Sequence, residues 1–205
     1  MRILASRMSE FDVASSIALG ISLAAATGFR VFLPLLVTSA FAYSGHLHLG
    51  TNFAWLGSLP ALVMLAVAAV VEVLAYYIPV VDHLLDTITT PAALVAGTLL
   101  AAAVMTDLPP ATKWAIAVIA GGGAAGLTQV ATALLRGAST VATAGVGNHV
   151  LSTGELGGSL LLSLLALAAP YLALILVTLP LLGWLALRLA RRRSPGPDGV
   201  KPKAR

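Results

Sequence analysis

The chain has 205 residues, of which 59% are hydrophobic and 10% charged, and its mean hydropathy is +0.96. Soluble domains carry about 25% charged residues, so this composition excludes an ordinary globular domain and points to a polytopic helical membrane protein. Cysteine is absent, which removes disulfides, thiolate metal sites and cysteine nucleophiles together.

The opening "MRILASRMSEFDVASS" superficially resembles a signal peptide, but Glu10 and Asp12 spoil a positive leader. The apolar run that follows continues to Tyr43, beyond the ~7–15 apolar residues of a signal core. It is expected to be retained as a first span, after an N-terminal segment 1–12. Four further apolar stretches follow, from Phe53 to Ile78, Ile88 to Met105, Trp114 to Leu135 and Ser159 to Leu189. "SGHLHLGTN" and "TDLPPATK" separate some of them with turn formers and charge. The stretch from Arg136 to Gly158 is rich in Gly, Thr and Ser, and reads as too polar to face lipid. Its "TVATAGVGNH" is a candidate either for unwound backbone lining a cavity or for an exposed loop. The last apolar stretch exceeds what a ~30 Å bilayer core requires, and Pro170 and Pro180 are its candidate break points. Strand-like alternation in ~10-residue segments is absent, so a β-barrel is not expected.

A formal net charge of +4 arises largely from the C-terminus, where Arg188, Arg191, Arg192, Arg193, Lys201, Lys203 and Arg205 cluster. Such a basic segment just after a span is explained by cytoplasmic retention and anionic headgroups, not by nucleic acid. Residues 191–205 are expected to form a disordered tail. The expected architecture is therefore an all-α transmembrane bundle over residues 13–190. It has five to six spans, with six favoured, and includes broken or re-entrant elements.

One polar phrase occurs twice. Aligning Asp82 with Asn148 pairs "DHLLDTITTPAALVAGTLL" with "NHVLSTGELGGSLLLSLLA". On a helix the i, i+4, i+7 positions share a face, giving one stripe of Asp82, Asp86 and Thr89 and another of Asn148, Ser152 and Glu155. Upstream, "GISLAAATGFR" and "GLTQVATALLR" share their Gly-to-Arg spacing. Together these matches suggest an internal repeat with halves 13–106 and 112–190, inverted if six spans cross.

Charges inside a bilayer cost at least ~2.5–3.5 kcal/mol each on insertion scales, so Arg30, Glu72 and Arg136 need partners or a function. One account pairs an arginine with Glu72 or an aspartate as a structural lock. The other places Arg30, Glu72, Asp82, Asp86, Arg136, Asn148 and Glu155 around a polar cavity where the halves meet. Carboxylates exceed arginines in that set, which suits a hard cation or a proton. Asp82 and Asp86 lie close on one face and repel when both are ionised, so one is expected to hold a proton near neutral pH. His83 and His149 are the candidate metal ligands, and no cofactor is expected.

Other motifs are weak. "GGGAAG" formally fits a dinucleotide fingerprint but lies in an apolar helix with no preceding strand. Its Gly122 and Gly126 read better as a GxxxG packing face, a reason to expect a homodimer. Asp82-x-x-x-Asp86 alone is too little for a Mg²⁺-dependent lipid-phosphate enzyme, and no catalytic serine or zinc-protease motif occurs. An enzyme is not expected.

The run "ATGFRVFLPLL", the order "E…IP-x-x-D…D" and the later "R…ST…T…GN…S-x-x-E" resemble a bacterial family of small membrane proteins catalogued as domain of unknown function 4126. The resemblance covers about Ala14 to Leu187. It implies signature positions at Arg30, Glu72, Pro79, Asp82, Asp86, Arg136, Asn148 and Glu155, and no activity. The expected role is a transporter- or channel-like protein of the inner membrane, handling a cation or proton-coupled solute. The competing expectation is a scaffold whose charges only lock helices.

Overall fold

The computed structural model describes the backbone of residues 2–193 and the side chains of residues 12–78, 87–180, 182 and 183. Every element among them is helical. Helix α1 (Arg2–Thr27) is followed by α2 (Phe32–Tyr43), a 3-10 helix (Thr51–Gly57), α3 (Leu59–Ala75) and α4 (Pro79–Val104). Then come α5 (Pro110–Ile116), a π turn (Ala117–Gly122), α6 (Gly123–Thr143), α7 (Gly147–Ala168) and α8 (Pro170–Arg193). Proline opens α4, α5 and α8, where its missing N–H costs nothing, because the first turn has no internal acceptor for that donor.

Among the described residues, three helical stretches are long and apolar enough to cross a bilayer: Thr87–Val104, Pro110–Thr143 and Gly147–Ala168. A fourth exists if Thr51–Gly57 and Leu59–Ala75, bent by 67°, count as one. Among the described residues Asp12–Thr27, Phe32–Tyr43 and Pro170–Pro180 are shorter apolar stretches, the first and last being parts of the longer helices α1 and α8.

Two sequence expectations change here. The stretch from Val13 to Tyr43 is two helices broken at residues 28–31, not one span. Helix α1 tightens into 3-10 hydrogen bonds at Gly28 and Phe29, and Glu72 then takes the first donors of α2. The segment 136–158 is almost wholly helical, interrupted by a turn at Ala144 (φ 52°) and Gly145 (φ 89°).

Small residues set the packing. A Cβ at Gly28 would lie 2.4 Å from the Ala125 carbonyl and 2.5 Å from Thr128 Cβ, so only glycine allows α1 this close to α6. Gly97 and Gly121 bring α4, the π turn and α1 together, with Ala24 against both. Gly122 meets Thr98 and Gly126 meets Leu94. The GxxxG face is thus occupied by α4 of the same chain, which removes it as a reason for a homodimer.

The contacts also fix helix directions. Along α1, Gly20 meets Ala101 and Met105, whereas Thr27 donates to the Ala93 carbonyl at 3.3 Å, so α4 runs antiparallel. Ser159 donates to Ala26 and Arg30 to Ser152, so α7 is antiparallel too. The neighbours on the other side rise from Gly121, near Ala24, to Thr128, near Gly28, so α6 runs parallel to α1. The matched pairs α1/α6 and α4/α7 therefore each keep one direction. That is incompatible with an inverted relation between the two echoed blocks.

Helix α2 doubles back. Its start lies beside Ala93 near the middle of α4, through Val31, while Ser39 donates to Leu56, which packs with Ala101–Ala103 and Met105 near α4's end. Helix α1 thus reaches the middle of the bundle, and α2 returns towards the side from which α1 came.

Candidate functional site

At the break between α1 and α2, four of the charged residues singled out above converge: Arg30, Glu72, Arg136 and Glu155, exposed by 1%, 5%, 2% and 7%. Residues 28–31 leave α1 where Gly28 meets α6, and Arg30 lies in the interior. Its Nη2 donates to the Ser152 carbonyl at 2.9 Å and lies 3.7 Å from Glu155 Oε2.

Glu155 is held mainly by the other arginine. Arg136 Nε donates to Oε1 at 3.0 Å, and Arg136 Nη2 donates to Oε2, a two-pronged pairing. Planar matching of this kind is the strongest geometry available to a carboxylate. Both guanidiniums lie near the ring of Tyr76, whose centroid is 3.9 Å from Arg30 Cζ and 4.2 Å from Arg136 Cζ. An electron-rich ring face attracts both cations where water is excluded. The tyrosine oxygen approaches Thr89 Oγ1 at 3.2 Å, and Gln129 Nε2 donates to the same hydroxyl at 3.1 Å.

Glu72 is not the arginines' direct partner. Its Oε1 accepts from Val31 N at 2.7 Å and its Oε2 from Phe32 N at 3.0 Å. It therefore caps the N-terminus of α2, where exposed amide donors and the helix dipole favour a negative charge. Pro34 in the same first turn has no N–H to satisfy.

Of the remaining site candidates, Asn148 is buried, and its Nδ2 donates to Thr140 at 2.9 Å, tying α7 to α6. The His149 ring packs against Tyr77 at a 47° tilt with centroids 5.9 Å apart, and Tyr77 shares a 3.0 Å hydrogen bond with Thr153. Among the described residues no group of three His, Cys, Asp or Glu side chains is placed to hold a metal. The side chains of Asp82, His83 and Asp86 lie outside those described.

Tyr76 and Gln129 were missed from the sequence. Each carried a signal: Tyr76 stands one helical turn beyond Glu72, and Gln129 is the only glutamine of the chain, set in an apolar helix.

These features define a class: an all-helical protein with helices suited to a membrane, built round a buried arginine–glutamate–tyrosine cluster at a helix break. The chain belongs to the family described as Domain of unknown function (DUF4126), whose model matches residues 17–192. No curated protein and no solved structure matches it.

Proposed function

We propose that this chain is a multi-pass inner-membrane protein with its C-terminus in the cytoplasm, acting as a small transporter- or channel-like unit without catalytic chemistry. Its solute site is the cluster of Arg30, Tyr76, Arg136 and Glu155, together with Asp82, Asp86 and Asn148 from the echoed segments. The cargo is a cation or a proton-coupled solute.

One observation carries the reading: a helix stops halfway through the bundle and turns back at a buried arginine. Broken helices that meet polar groups at the midplane are a recurring site architecture in transporters. Two related halves running in parallel, a plan such proteins also use, fit the echo. Thr27 and Ser159 hydrogen bonds join α1 to Ala93 on α4 and to Ser159 on α7, positions equivalent in the alignment.

A scaffold is the second reading, favoured by the full engagement of Glu72 with backbone donors and by the Arg136–Glu155 pairing. Proteoliposome flux separates them. Protons, sodium, potassium and small metabolite pools are offered to the wild type and to Asp82→Asn, Asp86→Asn and Glu155→Gln. Transport requires flux in the wild type that falls at least tenfold in a folded variant. Flux absent for every cargo, or unchanged in all three variants, would leave the scaffold.

A further inference from the structure

The arginine at the break is the one charged group of the cluster with donors left over. Arg30 is 1% exposed, yet its Nε and Nη1 make no hydrogen bond. Guanidinium offers five N–H donors and no acceptor, so three donors stay unsatisfied: one on Nε and two on Nη1. Leaving such groups buried without partners costs about 1–3 kcal/mol each, and more when they are charged. The residue receiving Nη2 is in the same position. The Oγ of Ser152 is fully buried and has no partner.

The carboxylates of the cluster do not supply the missing acceptors. Both are committed, Glu155 to Arg136 and Glu72 to the α2 amides. Glu155 reaches Arg30 only at 3.7 Å, beyond hydrogen-bond length. The Tyr76 ring attracts the guanidinium but accepts none of its in-plane N–H bonds, since it lies over the face.

We infer that Arg30, assisted by the Ser152 hydroxyl, binds an anionic oxygen group, a carboxylate or phosphate, carried by the solute. A cation cannot satisfy donors, whereas oxyanion oxygens accept hydrogen bonds from guanidinium N–H groups and from a serine hydroxyl. The inference rests on the transport reading for the origin of the anion, since a residue enclosed by protein is out of reach of lipid headgroups. It narrows the cargo to an anionic solute moving with a compensating proton or cation.

The test uses the full chain, purified in neutral detergent and unfolded thermally at constant ionic strength. Acetate, succinate or inorganic phosphate replaces a bulky sulfonate. Saturable stabilisation by at least one of them is expected, roughly 5–10 °C at a hundredfold excess over Kd. Arg30→Gln should abolish the shift and Arg30→Lys weaken it at least tenfold. Ser152→Ala, which removes only a hydroxyl, should weaken it several-fold in a protein that still folds. Equal melting in every anion, or a shift that survives both Arg30→Lys and Ser152→Ala, would overturn the inference. Binding at Arg30 without flux of the same anion would sink the transport reading and leave the site. Flux that ignores Arg30→Lys would do the reverse.

Discussion

Replacing Glu72 distinguishes a cap from a free buried carboxylate by the sign of the stability change. In the structure both oxygens accept backbone donors, at 2.7 and 3.0 Å, at the first turn of a helix that begins inside the bundle. Glu72→Ala strands the Val31 and Phe32 amides, at about 1–3 kcal/mol each. It also discards a favourable dipole interaction of about 0.3–2 kcal/mol. Relief of the carboxylate's own desolvation offsets part of this loss, so a net destabilisation of about 2–4 kcal/mol is expected. Glu72→Gln keeps one acceptor but turns an NH₂ group towards a backbone N–H, and should cost about 1–3 kcal/mol. A carboxylate without such partners would behave oppositely, because neutralising an uncompensated buried charge stabilises the fold. Thermal unfolding in detergent, followed by circular dichroism, reads the difference as a fall of roughly 4–16 °C for the alanine variant. A glutamine variant as stable as the wild type, or more stable, refutes the capping assignment.

The arginines should respond unequally when their shared carboxylate is removed. Glu155→Leu takes an acid from both guanidiniums and should cost about 3–5 kcal/mol, whereas Arg136→Leu leaves Glu155 with Arg30 and should cost less; the reverse order in thermal unfolding contradicts the geometry. Gly28→Ala must displace α1 from the α6 backbone and should destabilise by at least about 1–3 kcal/mol. Gly123→Ala, with open space around it, should gain about 0.5–1 kcal/mol, and equal effects at the two sites would refute the packing argument. Because the chain lacks cysteine, single cysteines report sidedness cleanly. Asp12→Cys, Ser44→Cys and Asp107→Cys should label from one face of the membrane and Ala144→Cys from the other. Labelling of positions 12 and 44 from opposite faces would remove the returning path of α2.

The four converging charges were readable because a charge in an apolar run must find others like itself, wherever the chain brings them. Their pairing was not. Glu72 reads as a partner for an arginine, yet it serves amides that need an acceptor only because the chain breaks over residues 28–31 and α2 doubles back. That need arises from a long-range fold and leaves little local trace beyond Pro34. The segment 136–158 misled for a different reason. Its threonines suggested irregular backbone, but Thr140, Thr143 and Thr153 donate to the carbonyls four residues earlier. A hydroxyl bonded back to the i−4 carbonyl is compatible with a continuing helix, at a slight cost in stability. The direction of the echoed helices was likewise hidden, since it depended on a span count that the break in the first apolar stretch altered.

The cluster is a poor way to gain stability alone. Replacing a buried ion pair by apolar residues of similar volume is often neutral or stabilising, and a straight α1 would need no carboxylate cap. Here the chain instead stops a helix inside the bundle, at a glycine no other residue could replace without moving α6. It spends a glutamate on the resulting orphan amides and leaves an arginine with three unsatisfied donors beside a buried serine. The break and the unsatisfied donors are unfavourable by themselves, and none of these features is required by the pairing of Arg136 with Glu155. They become coherent if the break exists to present Arg30 to something that arrives and leaves. A ligand that satisfies those donors recovers on binding what the empty fold gives up. On that argument the protein should be most stable with an anion bound, and least stable while the site is empty.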